Sequence, residues 1–458
     1  MKKVAGFFKW IGRDIKEIGV TFKEGDWKTK VSFLIMGFGP LMRKCFLRGI
    51  GLLAIEILYI WYMVGFGAQY LAKLTTLGTE ATYMDLTTFV TVYGDNSFLI
   101  LLWGLLSVLF TLFFLLIWRV NVRENRNEEL RAKEGKAVPT AREDLHQMLD
   151  SKFHVTMLAL PTLGIFVFMI LPILFMVCVA FTNYDYNHQP PGKLFTWVGF
   201  ENFRNLLSFG SDGFGSTFFR VLGWTLIWAF FATFLNYFLG MGVAILINKK
   251  GIKFKKMWRT ILVMTIAIPQ FVSLLYVSKL FANDGLINSY LMKWGVISEY
   301  IPFWTNPTLA RITIIIINCW VGIPYLMLIS TGILMNIPSD LYESAKIDGA
   351  NGWQMFRKIT LPYMLFVTGP YLLTSFTGNI NNFNIIYLLS GGGPQSMNLA
   401  GSAGSTDLLV TWLYKMTVNE TNYAMAAVIG IMVFVVMAVT SLVAYGLLPS
   451  VRDEEGFQ

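Results

Sequence analysis

Long apolar runs separated by short polar and charged segments dominate the chain. A helix needs about 20 mostly apolar residues to cross a bilayer, and eight runs meet that requirement. They lie at residues 47–68, 97–118, 155–181, 221–247, 260–282, 309–334, 363–389 and 423–449. A further apolar stretch, 31–41, is too short to span and is interpreted as re-entrant or interfacial. The pattern predicts an all-α polytopic membrane protein with about eight transmembrane helices.

Composition supports this prediction. The chain has 458 residues, of which 55% are hydrophobic and 14% charged, whereas about a quarter of a soluble domain is charged. A net charge of +9 would suit a nucleic-acid partner only if the basic residues formed a binding surface. They cluster instead in a few segments between the apolar runs, so the sequence predicts no nucleic-acid partner.

The distribution of basic residues predicts the orientation. Lysine and arginine are abundant before the first run, between the second and third, and between the fourth and fifth, whereas segments 69–96, 283–308 and 390–422 hold one basic residue each. Cytoplasmic segments carry the excess of positive charge. We therefore expect a cell-membrane protein with both termini in the cytoplasm and with the loop at 335–362 on the same side.

These boundaries divide the chain into five predicted parts. Residues 1–46 form a cytoplasmic or interfacial segment, 47–118 the first two transmembrane helices, 119–154 a cytoplasmic linker, 155–450 a core of six transmembrane helices, and 451–458 a cytoplasmic tail. Within the first part, residues 1–20 are amphipathic, which suits either a helix lying on the inner leaflet or a solvated leader with some apolar residues. Its apolar face would consist of Phe7, Phe8, Ile11, Ile15 and Ile18.

The loop between the sixth and seventh runs carries helix start and stop signals. Asp340, with Glu343 three residues later, suits a helix start. Gly349 then favours a break, because glycine accepts backbone angles that other residues resist. Asn351 can cap a second helix, with Gln354 three residues on. The sequence predicts two short helices at an angle, forming a compact knob.

Two sets of motifs resemble a known family. The stretch from Glu343 to Ala350, followed by Leu361-Pro362, resembles the cytoplasmic "EAA" loop of permease subunits of ATP-binding-cassette (ABC) importers, with Ser344 where the family often has Ala. Three further motifs resemble the larger permease subunit of maltose/maltodextrin importers. They are Leu160-Pro161 with Leu171-Pro172, Asn381-Asn382-Phe383-Asn384, and Gly391-Gly392-Gly393-Pro394.

The resemblance implies a type I ABC importer permease fold and a set of partners. These are a second, smaller permease subunit, two ATPase subunits, an extracytoplasmic sugar-binding protein, an oligosaccharide and membrane lipid. The chain itself has no Gly-x-x-x-x-Gly-Lys-Ser/Thr loop, so no cofactor is expected in it, and ATP and Mg would be used by the partner ATPase. The loop would dock on the ATPase through Glu343, Ala345, Asp348, Gly349, Ala350, Leu361 and Pro362.

The resemblance also implies a sugar pathway. Amide groups offer a donor and an acceptor together, which suits sugar hydroxyls, although an Asn-rich helix face can equally serve interhelical packing. The implied substrate-binding residues are Asn318, Trp320, Gly322, Tyr325, Ser375, Asn379 and Asn382. Ser375, Asn379 and Asn382 are spaced to share one face of a helix. Ile266 and Gln270 differ from the Tyr and Ser of the best-known family pattern.

Maltodextrin is the expected cargo, and three alternatives remain. The permease could serve another oligosaccharide, of the galactooligosaccharide type. A membrane-embedded glycosyltransferase would need a carboxylate cluster, and a secondary carrier would need charged groups inside its spans. Only Glu56 lies deep in a span, and it is interpreted as a hydrogen-bonded packing residue. No catalytic or metal-binding residues are predicted.

Overall fold

The computed structural model describes residues 2–135, 142, 143, 146, 149–151, 153–208, 213–249 and 251–447, with side chains from residue 12 onward. The predicted tail at 451–458 and the apolar face formed by Phe7, Phe8 and Ile11 therefore lie outside what is described. The chain divides into two units, Met1–Trp197 and Val198–Gln458.

Among its described residues, the first unit consists of helices, one short hairpin and irregular connecting segments. Its helices are α1 Lys2–Glu24, α2 Trp27–Val31, α3 Phe38–Met42, α4 Phe46–Lys73, α5 Ser97–Lys133 and α6 Phe153–Val179. Strands β1 (Tyr83–Met84) and β2 (Thr91–Val92) pair antiparallel between α4 and α5. At the base of this hairpin Lys73 donates a hydrogen bond to Asp95, which lowers the pKa of that carboxyl.

The described residues of the second unit form helices joined by irregular segments. They are α7 Glu201–Leu207, α8 Phe214–Asn248, α9 Lys255–Ala267, α10 Gln270–Leu280, α11 Leu286–Lys293, α12 Pro307–Met335, α13 Ser339–Ile347, α14 Gly352–Ile380, α15 Phe383–Ser390, α16 Leu409–Val418 and α17 Tyr423–Leu447. Helix α8 packs along α12, and the aromatic side chains of Trp224 and Trp228 lie buried with Leu274, Ile314 and Ile386.

The predicted all-α polytopic class is confirmed. Among the described residues, seven helices are long and apolar enough to cross a membrane, and α9 with α10 forms an eighth span if the bent pair counts as one. The predicted bounds 363–389 are wrong. Helix α14 begins eleven residues earlier, at Gly352, and ends at Ile380, and α15 begins after a break at Asn381 and Asn382.

Helix α5 corrects the prediction of a linker from residue 119. The helix continues to Lys133, and its polar extension is partly buried against the segment that precedes α4. Asn121 accepts a hydrogen bond from Gly37 N–H (3.1 Å), and Glu129 accepts one from the Thr29 hydroxyl (3.1 Å). Buried polar groups need such partners. These hydrogen bonds therefore stabilise a helical extension of α5 that has no apolar period, so hydropathy could not predict it.

The short apolar stretch 31–41 packs within the first unit. Met36 in this stretch is fully buried, and its backbone N–H donates to the Glu56 carboxylate at 2.8 Å. This hydrogen bond agrees with the interpretation of Glu56 as a packing residue.

Prolines in and beside the predicted spans have different effects. Pro172 and Pro362 each follow a five-residue π-helical segment, Phe166–Ile170 and Phe356–Thr360, within a helix that continues. Because proline clashes with the carbonyl four residues earlier, a wider π turn can accommodate it. Pro324 lies within α12, whereas Pro269 stands between α9 and α10, whose axes differ by 93°.

A buried ion pair organises the segment between α15 and α16. Lys415 contacts Asp407 at 2.6 Å, with side-chain exposures of 7% and 0%. The Gly404 N–H and the Thr411 hydroxyl also donate to Asp407. Gly392 has a φ of +78°, and a Cβ there would lie 1.8 Å from Asp407 Oδ1. The Gly-Gly-Gly-Pro motif therefore includes a glycine that the carboxylate requires.

Candidate functional site

A pocket opens where the chain breaks between α9 and α10. Ile268 and Pro269 have extended backbone at this break (ψ of 129° and 126°). A residue before proline is disfavoured in the α region, so the helix ends there. The pocket holds about 340 Å³ and is lined by Thr265, Ile266, Ala267, Ile268, Pro269, Gln270, Ser273, Trp320, Val321 and Tyr325.

Two of the predicted sugar-contacting residues face this pocket. Trp320 and Tyr325 on α12 are 48% and 51% exposed, although both lie in the middle of a long apolar helix. Ile266 and Gln270, where the sequence departs from the family pattern, line the same pocket. None of the lining side chains carries a charge at neutral pH. The pocket therefore offers aromatic faces with a few hydroxyl and amide groups, which suits a neutral polar ligand.

Asn318 and Gly322 lie instead at a close contact between α8 and α12. A Cβ on Gly322 would meet the Asn236 amide nitrogen at 2.4 Å, and Asn318 is 4% exposed. The Asn236 amide donates to the backbone oxygen of Asn318 at 3.5 Å. These two predicted site residues pack helices in this structure and do not line the pocket.

Asn379 and Asn382 form a polar cluster at the end of α14. The Asn379 amide donates to the Thr233 hydroxyl (2.9 Å), the Asn382 amide donates to Asn379 Oδ1 (3.3 Å), and Trp228 donates to the Asn379 backbone oxygen (3.1 Å). Asn382 lies beyond the helix and caps α15 by accepting from Ile385 N–H. The prediction that Ser375, Asn379 and Asn382 share one helix face is therefore wrong for Asn382, because the helix ends at Ile380.

Ser375 lies on α14, one turn after Tyr371. The Tyr371 ring lies 6.5 Å from the Tyr325 ring, centroid to centroid, so Tyr371 lies close to the pocket. Tyr371 was not among the predicted residues. Its position four residues before Ser375 places it on the same face, which is the signal that could have identified it.

Sequence analysis also missed Thr265 and Ser273, which line the pocket on either side of the break. Both lie in the apolar run 260–282, which was counted as one span. Pro269 was the available signal, because the residue before a proline tends to leave the helical conformation.

The turn in the loop between α12 and α14 forms as predicted. The Gly349 N–H donates to the Lys346 carbonyl (3.0 Å) and the Ala350 N–H to the Ala345 carbonyl (2.8 Å), with Gly349 at a φ of +78°. This is the Schellman arrangement that ends helices at a left-handed glycine. Asp340 does not cap α13, because Pro338 occupies the cap position and Asp340 lies in the first turn.

Asn351 begins the second helix of this loop. It accepts from Gln354 N–H at 2.9 Å, and the Gln354 side chain accepts from Asn351 N–H at 2.8 Å, so the predicted reciprocal cap is present. The second helix is not short, however, because α14 runs on to Ile380. Apolar side chains project from the knob, with Ile347 87% and Trp353 67% exposed. Such side chains suit a protein partner.

A family model matches residues 236–453, which include the pocket, the polar cluster and the loop. Its description is binding-protein-dependent transport system inner membrane component. The chain is also 37% identical to the galactooligosaccharides transport system permease protein GanP of Bacillus subtilis (strain 168), over 92% of this chain and 97% of that protein. The chain belongs to this family of transport permeases.

Further relatives support the assignment of this chain to the permease family. It is 34% identical to the maltodextrin transport system permease protein MalC of Streptococcus pneumoniae serotype 4, over 94% of its length and 98% of that protein. A chain in the crystal structure of a bacterial ABC transporter that imports the acidic polysaccharide alginate matches it with a TM-score of 0.53 and 25% identity. That match covers 68% of the permease and all of the solved chain.

These findings confirm the ABC importer family and the multi-pass membrane class. The permease is a transport component, as its relatives are, and not an enzyme. Within the described residues, no three His, Cys, Asp or Glu side chains come together in a way that could hold a metal ion.

Proposed function

We propose that this permease imports maltodextrins, driven by ATP that partner subunits hydrolyse with Mg. The pocket at the α9–α10 break carries the proposal, because it presents Trp320 and Tyr325 beside Gln270 and Ser273. The C–H faces of sugar rings pack on aromatic rings, and sugar hydroxyls need amide or hydroxyl partners. MalC of Streptococcus pneumoniae, a maltodextrin permease by name, supports the choice of sugar.

The pocket chemistry favours a neutral sugar. No lining side chain could balance a carboxylate, and an unpaired charge buried within the membrane is costly. An acidic polysaccharide such as alginate, which the solved relative imports, is therefore a poor match for this permease.

Galactooligosaccharides are the second candidate. They are neutral as well, and GanP, whose name gives them as its cargo, is 37% identical to this chain over nearly its whole length. The pocket side chains suit either sugar, so the cargo has to be measured.

The proposed assembly contains a second, smaller permease, two ATPase subunits and an extracytoplasmic sugar-binding protein. The knob formed by α13, Gly349 and the start of α14 would dock on an ATPase subunit, with Ile347 and Trp353 as its exposed apolar contacts. Docking there requires the knob to be cytoplasmic. The excess of basic residues in alternate segments supports this orientation, with both termini on that side.

The test is sugar-dependent uptake by the whole complex in proteoliposomes. Labelled maltotriose and a labelled galactotriose would be supplied separately with the binding protein outside and MgATP inside. We expect ATP-dependent uptake of maltotriose. Uptake of galactotriose alone would assign the second candidate, whereas uptake of neither sugar, from a complex that retains basal ATP hydrolysis, would contradict an oligosaccharide cargo.

A further inference from the structure

A basic groove lies between α1 and α5 in the first unit. It holds about 510 Å³, and its walls include five basic and two acidic side chains. The basic residues are Arg13, Lys16, Arg119, Arg123 and Arg126. An excess of positive charge in so small a volume is unfavourable unless an anion or water occupies it.

Two ion pairs between α1 and α5 hold the walls of the groove together. Arg119 pairs with Asp14 on α1. About two helical turns further along α5, Arg126 pairs with Glu24 on α1 (3.0 Å), and it also pairs with Glu129 on its own helix (3.0 Å). Arg119 and Arg126 therefore have structural carboxylate partners, and they fix α1 against α5.

The three other basic residues remain available to a ligand. Among the described residues, no carboxylate lies within salt-bridge distance of Arg13, Lys16 or Arg123, and all three are exposed. Glu17 is the one acidic wall residue outside the Arg119 pair, so it cannot neutralise all three.

Three exposed apolar side chains lie near the groove in sequence, although none of them lines it. On the described part of α1 and at the start of α2, Ile15 is 64%, Phe22 55% and Trp27 57% exposed. On α5, Trp118 immediately precedes Arg119, at the end of the apolar run that begins after Ser97. Tryptophan and basic residues at this point of a spanning helix mark the boundary between acyl chains and head groups.

We propose that this groove binds the head group of an anionic phospholipid. Arg13, Lys16 and Arg123 would bind the phosphodiester, and Ile15, Phe22 and Trp27 would lie among the adjoining acyl chains. Basic pockets beside transmembrane helices bind anionic lipid head groups, and an amphipathic helix buries its apolar face at the same depth. The lipid would fill the space between α1 and α5 and link the N-terminal helix to the membrane.

The experiment is native mass spectrometry of the full-length chain titrated with phosphatidylglycerol or with phosphatidylcholine of the same acyl chains. We expect one phosphatidylglycerol to bind preferentially. The triple variant Arg13→Gln, Lys16→Gln, Arg123→Gln should bind it at least about ten-fold more weakly, since each basic residue near an anionic surface contributes to the attraction.

The matched control removes three exposed lysines outside the groove, through Lys30→Gln, Lys253→Gln and Lys256→Gln. It should keep the preference of the natural chain, as should Arg123→Lys, which retains the charge. Equal loss in the lysine control would show general charge attraction and overturn the proposal, as would an unchanged preference in a folded groove variant. Displacement of the lipid by a small excess of soluble glycerol 3-phosphate would assign the groove to free phosphate esters instead.

Discussion

At the scale of residues, the seven residues expected to contact sugar fall into groups with different surroundings. Trp320 and Tyr325 are exposed in a pocket, Asn318 and Gly322 pack α12 on Asn236, and the Asn379 amide already has a hydrogen-bond partner in Thr233. Residue type alone cannot make this distinction, because a buried asparagine serves packing and recognition with the same amide.

A substitution of Trp320 tests whether the pocket binds sugar. Trp320→Ala removes an aromatic face that is half exposed, so we expect sugar uptake to fall about two- to twelve-fold, since an aromatic contact contributes about 0.5–1.5 kcal/mol. Assembly with the partner subunits should be unchanged. Ile316→Ala is the matched control on the same helix, because Ile316 is 60% exposed and lies outside the pocket. Equal uptake by the two variants would remove Trp320 from the pathway.

A substitution of Asn379 tests whether the polar cluster at the end of α14 takes part in transport or in packing. Asn379→Leu leaves the Thr233 hydroxyl and the Asn382 amide without their present partner, which costs about 1–3 kcal/mol in a buried setting. We expect lost uptake with retained co-purification and basal ATP hydrolysis. Thr233→Val removes the same hydrogen bond but keeps the Asn379 amide. If both variants lower uptake only as far as they lower the amount of assembled complex, Asn379 acts in packing.

At the scale of elements, hydropathy predicted the spans and did not predict their interruptions. Apolar length identifies a helix such as α12 within two residues of each end, because the bilayer sets that length. The break at Pro269 and the end of α14 at Ile380 fall inside uniformly apolar runs. Hydropathy does not change at these points, so it cannot locate them.

Substitutions of Gly349 test whether the bend in the knob is needed for coupling. Proline fixes φ near −65°, whereas Gly349 has a φ of +78° and donates to the Lys346 carbonyl. We expect Gly349→Pro to lower uptake and sugar-stimulated ATP hydrolysis together, with normal membrane insertion. Gly349→Ala should act more mildly, because a left-handed alanine costs about 1–2 kcal/mol.

Gly352→Ala is the control for both variants. It lies in the first turn of α14, and a Cβ there meets no atom within 4 Å. Normal coupled activity in a well-expressed Gly349→Pro complex would show that the bend is not needed to transmit movement.

At the scale of the whole molecule, the periodic and charge patterns predict the class, the number of spans and an orientation. They do not predict how the first unit folds. Residues 119–133 are polar without an apolar period, and yet they extend α5 and are partly buried. Asn121, Asn125 and Glu129 form hydrogen bonds with segments that lie about a hundred residues earlier. Such long-range pairing leaves no local signal.

The orientation is tested by labelling of introduced cysteines. Cys178 is more exposed than the buried Cys45 and Cys319, so Cys178→Ala provides the background. Tyr93→Cys and Met397→Cys replace highly exposed residues in segments expected outside, and both should react with an impermeant thiol reagent in intact cells. Ile347→Cys, equally exposed in the knob, should react only after lysis. Labelling of position 347 from outside would reverse the orientation.

Helix α14 joins the Gly349 turn to the Asn379 cluster without a break. At 1.5 Å per residue, the 27 steps from Gly352 to Asn379 measure about 40 Å. If the helix moves as one body, a tilt of about 10° imposed at its first turn displaces its far end by about 7 Å. The π-helical turn at Phe356–Thr360 lies close to the fulcrum. A small rotation of the knob would therefore be enough to separate Asn379 from Thr233.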